Sequence, residues 1–147
     1  MNIDSYLIKI YNVAFRLTGD ETKAVDLAFN AIENSSSNLK LNDMVDTYLL
    51  DNSVKEVCKL FLSDTHNGYE LFKKFEKNTY SDSFQDALMS LNKISRTIVV
   101  WRDVLGLKIE DLNLNGYNKK RLYYELNNAR KLLKDVINED YVNETGA

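Results

Sequence analysis

Residues 106–134 read GLKIEDLNLNGYNKKRLYYELNNARKLLK, and the fold turns on how they are divided. Ile109 to Leu114 fit a short helix. Asn115-Gly116-Tyr117-Asn118 is a tight turn. From Lys119 to about Ile137 the apolar spacing is that of a long helix. A short helix, a Gly-containing turn and a longer basic helix make the layout of a helix-turn-helix. In that layout the first helix braces the second, so that the second can present its N-terminal turns to a major groove. Basic side chains and free backbone N–H groups there meet phosphates. Lys119, Lys120 and Arg121 fall at the start of the long helix, where this geometry needs them. Tyr123, Tyr124 and Glu125 follow within the next turn or so, and those that face a groove set base preference. Arg130, Lys131 and Lys134 lie further along, within reach of flanking backbone only.

Upstream, Ser81 or Asp82 reads as the N-cap of a helix from Ser83 to Leu91, and Asp82 with Gln85 fits a capping box. Asn92-Lys93-Ile94-Ser95 reads as a break, and a helix from Arg96 to Leu105 ends at Gly106. Trp101 is expected in the core with Leu91, Ile98, Leu105, Leu112, Leu122 and Leu126 around it. The N-terminal part reads as three helices. The first, Ile3 to Leu17, stops at Gly19 as a left-handed cap, with Asp20 as the next N-cap. The second covers Glu21 to about Asn34, and the third about Asp43 to Leu62. Residues 63–80, with Asn67-Gly68 and a short helical pattern from Tyr69 to Phe75, read as a tether. The expectation is an all-α chain of two small helical modules, 1–62 and 81–137, joined by a linker at 63–80. The second module is the helix-turn-helix, and 138–147 is an acidic tail.

Composition agrees with this class. The 147 residues include no Pro and only 5 Gly, too few turn residues for a barrel or sandwich. An apolar fraction of 44%, with 9 Tyr and 6 Phe, is enough to build a core. The net charge of −3 argues against a nonspecific nucleic-acid coat. Its distribution says more: residues 1–63 balance to −3, whereas 81–137 balance to +3. Cys58 is the sole cysteine, which leaves no disulfide framework and no thiolate metal site, and its apolar neighbours make it a small core residue. His66 is the sole histidine and reads as a loop residue. No Gly-rich phosphate loop, metal-ligand cluster or nucleophile–base set is present, so neither an enzyme nor a cofactor is expected. No apolar run approaches the roughly 20 residues that span a bilayer, and the start is no signal peptide. The expected setting is the cytoplasm, with no membrane partner.

Several of these stretches together resemble a known family. Residues 87–112, ALMSLNKISRTIVVWRDVLGLKIEDL, look like the C-terminal domain of bacterial extracytoplasmic-function sigma factors, in which an Arg-led apolar helix ends in Gly-Leu before an acidic brace. Residues 116–133, GYNKKRLYYELNNARKLL, are similar to its recognition helix and closing Ala-Arg-x-x-Leu signature. At the N-terminus, YNVAFRLTGD at 11–20 and AVDL at 24–27 resemble the segment that leads into the polymerase-binding helix. The resemblance covers about 1–62 and 81–137. It implies binding to RNA polymerase core through Asp26, Leu27, Phe29 and Asn30, promoter DNA at Lys119, Lys120, Arg121, Tyr123, Tyr124 and Glu125, and regulation by an anti-sigma or other protein.

The departures bear on function. Phe29 and Asn30 stand where the family has Gln and an acidic residue, and Phe29 reads either as core or as a partner surface. The helix matching the promoter-melting element carries Tyr48, but also Asp46, Asp51 and Glu56, with only Lys55 and Lys59 basic. Carboxylates facing phosphates weaken binding, and single-strand capture wants aromatics together with positive charge. Tyr123-Tyr124-Glu125 replaces a basic run, and one residue is missing between Asp111 and Gly116. Two functions follow. One is a divergent sigma-like transcription factor that directs polymerase to a promoter. The other is a sigma-like interaction regulator that kept the fold and lost promoter recognition.

Overall fold

The computed structural model describes residues 1–36, 44–63 and 82–144, and the side chains of the last helix as far as 138. Among the described residues the chain is helical and has no strand. It falls into two compact units, Met1–Tyr80 and Ser81–Ala147. Asp43, His66 and the helical pattern expected at Tyr69 to Phe75 lie outside the described residues.

The first unit packs three helices against one another: α1 (Ile3–Thr18), α2 (Glu21–Ser35) and α3 (Thr47–Ser63). The α1–α2 corner follows from three consecutive residues. Gly19 takes φ 66°, which a side chain disfavours, and its N–H closes on Phe15 O at 2.8 Å. Asp20 then accepts from Lys23 N at 2.8 Å and starts α2. Thr18 is buried and donates to Ala14 O, which satisfies its hydroxyl inside the corner. Apolar residues at helical spacing meet in the middle: Ile10, Ala14 and Leu17 from α1, Ala24, Leu27 and Ala31 from α2, Val57 and Cys58 from α3. Tyr6 is wholly buried with its hydroxyl 2.5 Å from Ser53 Oγ. Ser53 gives its own proton to Leu49 O, so Tyr6 is the donor. Asp46, expected inside the third helix, instead caps it by accepting from Leu49 N at 2.8 Å.

The second unit opens with α4 (Ser83–Ser90), capped by Asp82, which accepts from Gln85 N at 2.6 Å. The expected break at 92–95 is instead two residues, Leu91 and Asn92. Asn92 accepts from Ser95 N at 2.8 Å, and α5 (Lys93–Val99) starts at once. Arg96 therefore does not begin a helix. It lies one turn inside α5, and its guanidinium donates to Leu88 O at 3.0 Å, Met89 O at 3.3 Å and Leu91 O at 2.9 Å, closing the C-terminal end of α4. Past Val99 the helix widens into a π turn, Val100–Val104, where Leu105 N reaches back to Val100 O. Trp101 fills this turn, 3% exposed, and its indole N–H donates to Lys108 O at 2.8 Å. Leu91, Ile98, Leu112, Leu122 and Leu126 are buried as expected, while Leu105 is half-buried.

Two further expectations are corrected. Ile109 to Leu114 is not an α-helix: only Ile109–Asp111 coil, as one 3-10 turn, and Leu112 is already extended. Ile109 and Leu112 are both buried, and the turn between them closes on a single contact, Leu112 N to Ile109 O at 3.2 Å. The last helix, α6 (Lys119–Glu144), runs past Ile137 through most of the stretch read as an acidic tail.

Candidate nucleic-acid interface

The start of α6 is set by Asn118. Its side chain accepts from Arg121 N at 2.8 Å while its carbonyl accepts from Leu122 N at 3.0 Å. The turn before it closes with Tyr117 N on Leu114 O at 3.1 Å, with Gly116 at φ 82°. Leu122, Leu126, Ala129 and Leu133 are buried and define the inward face of α6. At 100° per residue, Lys120, Tyr124, Asn127 and Lys131 lie on the opposite face, and all four are exposed. Tyr124 is 63% exposed.

The six residues expected at DNA thus divide into three groups. Lys120 and Tyr124 point outward, one turn apart. Lys119 and Tyr123 occupy one flank, where both meet Glu110 from the 3-10 turn. The Tyr123 hydroxyl donates to Glu110 Oε1 at 2.6 Å, and Lys119 Nζ stands 3.4 Å from the same oxygen. The Tyr123 hydroxyl, then Glu110's backbone N–H and Lys119, hold the Glu110 carboxyl below its ordinary range, and the same hydrogen bond raises the Tyr123 phenol. Arg121 and Glu125 occupy the other flank. Arg121 lies over the Tyr117 ring, 4.3 Å from its centroid, and Glu125 is half-buried. Glu125 is therefore not aligned with Tyr124 for base contact. Farther along, Arg130 forks onto the Asp103 carboxylate, which leaves Lys131 and Lys134 as the exposed bases of the distal turns.

The shortened brace leaves a groove of 360 Å³ in front of α6, floored by Leu112, Leu114 and Leu122 and edged by Glu110, Asn113, Asn115, Tyr117 and Lys119. Sequence reading missed Glu110 as a partner of α6. It lies nine positions before Lys119, beyond any helical spacing, and comes close only because the brace is so short.

In the first unit the expected polymerase contacts separate. Asp26, Phe29 and Asn30 are exposed, with Phe29 at 58%, but Leu27 is buried in the core of the three helices and cannot share their edge. Val25, 55% exposed, stands one turn before Phe29 and extends the apolar part of that edge. On α3, Tyr48 is 77% exposed. Its acidic neighbours are partly used by the fold: Asp46 caps the helix, and Glu56 accepts from the Asn34 amide at 3.1 Å. Asp51 and Glu56 are half-buried, as is Lys55, while Lys59 is exposed.

Among the described residues no group of His, Cys, Asp and Glu is placed to hold a metal ion, and no helix is long and apolar enough to cross a membrane. Comparison with protein-family models, with curated proteins and with solved structures returns no match to this chain.

Proposed function

We propose that the chain is a divergent sigma-like transcription factor that binds RNA polymerase core through its first unit and promoter DNA through a helix-turn-helix in its second. The observation that carries this reading is the outward face of α6. From Lys120 through Tyr124 and Asn127 to Lys131 it presents bases, a phenol and a carboxamide, and no carboxylate, while the inward face is anchored by Leu122, Leu126, Ala129 and Leu133. Ammonium and phenol groups contact phosphates, and Asn reads adenine. The resemblance of residues 11–27 and 87–133 to extracytoplasmic-function sigma factors points the same way.

Asp26, Phe29 and Asn30 form the polymerase-facing edge of α2. Tyr48 offers a stacking surface to an unpaired base, but with Lys59 as its exposed base on α3 it holds single-stranded DNA weakly. Promoter opening therefore depends on polymerase.

A second reading is favoured by one contact. Glu110 already engages Lys119 and Tyr123, as in a sigma-like regulator that binds proteins instead of promoters. In both readings α2 meets its partner through the same edge.

The test is a pull-down of RNA polymerase core by the full chain and by Asp26→Ala/Asn30→Ala, followed by run-off transcription on genomic fragments. Retention by the wild type, its loss in the folded double variant, and a defined transcript support a sigma-like factor. Retention without any transcript supports the regulator. No retention removes the sigma-factor reading and leaves the regulator with a protein partner other than polymerase.

A further inference from the structure

Glu110 is exposed, yet its carboxylate is engaged. One oxygen accepts from a phenol at 2.6 Å and faces an ammonium at 3.4 Å, and both donors belong to the first turns of α6. A hydroxyl and an ammonium converging on one anionic oxygen are the partners a DNA phosphate takes from a protein. Ile109 anchors the turn, 1% exposed, so Glu110 is held beside α6 by the fold and not by chance of a long loop. Lys119 and Tyr123 flank the outward pair Lys120 and Tyr124, so a duplex laid on that face brings a phosphate to the place the carboxylate fills.

We infer that Glu110 is an internal substitute for a DNA phosphate, which keeps Lys119 and Tyr123 occupied until a phosphate displaces it. This rests on the reading of α6 as a DNA-binding helix. The contact makes weak, nonspecific binding weaker still, because each encounter must first break two interactions within the protein. It thereby reserves the full set of contacts for DNA held in place by other means, such as a bound polymerase. The groove edged by Glu110 and Lys119 gives the displaced carboxylate room to turn away.

The experiment is fluorescence anisotropy of a short mixed-sequence DNA duplex, titrated with the full chain at several salt concentrations. The variants are Glu110→Gln, Glu110→Gln/Lys119→Ala, and Asp111→Asn, which removes a neighbouring exposed carboxylate from the same turn. The expected result is that Glu110→Gln binds several-fold more tightly than the wild type. Its salt slope should be steeper by about one phosphate contact, and adding Lys119→Ala should cancel both changes. Asp111→Asn should produce at most a small gain with no change of slope. An equal gain from Asp111→Asn and Glu110→Gln would reduce the effect to net charge and overturn the inference. So would wild type and Glu110→Gln binding alike, with the DNA-binding reading left standing. If Glu110→Gln, folded by circular dichroism, does not bind the duplex at all, the inference falls, and the DNA-binding reading falls with it if polymerase core also fails to hold the chain on promoter fragments.

Discussion

Arg96 carries much of the second unit's geometry. It is 7% exposed, and its donors end on three carbonyls of the α4 terminus, of which Leu88 O also accepts from Leu91 N at 3.1 Å. Burial lowers its pKa to about 10, still well above neutral pH, so the side chain remains a cation. Arg96→Ala removes the guanidinium donors from these carbonyls in a buried place and should cost about 3 kcal/mol in urea unfolding followed by Trp101 fluorescence. Arg96→Lys, with a single ammonium for a planar fork, should recover part of the loss. Cys58 gives a pH dependence. Burial pushes its thiol up from 9.0 to about 12. Below about pH 9 the thiol is neutral in the folded and the unfolded chain, and its contribution is fully present. Above that the unfolded chain releases the proton while the folded one keeps it, so stability falls as pH rises toward about 12, by up to about 1.4 kcal/mol per pH unit. The wild type should therefore lose stability relative to Cys58→Ala between pH 9 and 10, and a constant difference would contradict the assignment. Cys58 and Trp101 were legible in the sequence, because burial follows from apolar spacing. Arg96 was not, because its acceptors are backbone atoms of the preceding helix and leave no mark on residue identity.

Helix boundaries set by caps were readable, and those set by tertiary contacts were not. Gly19, Asp20 and Asp82 act within four residues of themselves, and each does what its chemistry suggests. Asn92 was a cap hidden inside an expected break. The π turn holds Trp101, whose indole reaches Lys108 O seven residues on, and the brace is one 3-10 turn between buried Ile109 and Leu112. Both outcomes depend on the packed unit, which a window of sequence does not contain. The last helix outran its expected end because residues 138–144, acidic and sparse in apolar side chains, gave no periodic signal. The most consequential boundary for function is the start of α6. Asn118→Ala removes the acceptor for Arg121 N and should cost about 1 kcal/mol. It should also fray the turn bearing Lys119, Lys120 and Arg121, visible as faster amide exchange in that turn. Unchanged exchange would show that the groove-side packing of Leu122 alone fixes the helix start.

Across the chain, charge is divided by unit: the first unit carries the net −3, and the second is neutral as a whole, its basic stretch 81–137 offset by Glu139, Asp140 and Glu144. On the proposed DNA-binding reading, long-range attraction is therefore weak, and affinity has to come from local contacts on the outward face of α6. Of the residues expected at DNA, Lys120 and Tyr124 occupy that face, Lys119 and Tyr123 are engaged beside it, and Arg121 and Glu125 lie on the far flank. Base selectivity should accordingly follow Tyr124 and Asn127 more than Glu125. The decisive measurement is a mobility-shift titration of promoter-bearing genomic fragments with RNA polymerase core present, at two salt concentrations, comparing the wild type with Lys120→Ala. The account predicts a polymerase-dependent shift that weakens for every fragment in Lys120→Ala, with a salt slope lower by about one unit. A wild-type chain that retains no DNA even with polymerase bound would contradict it.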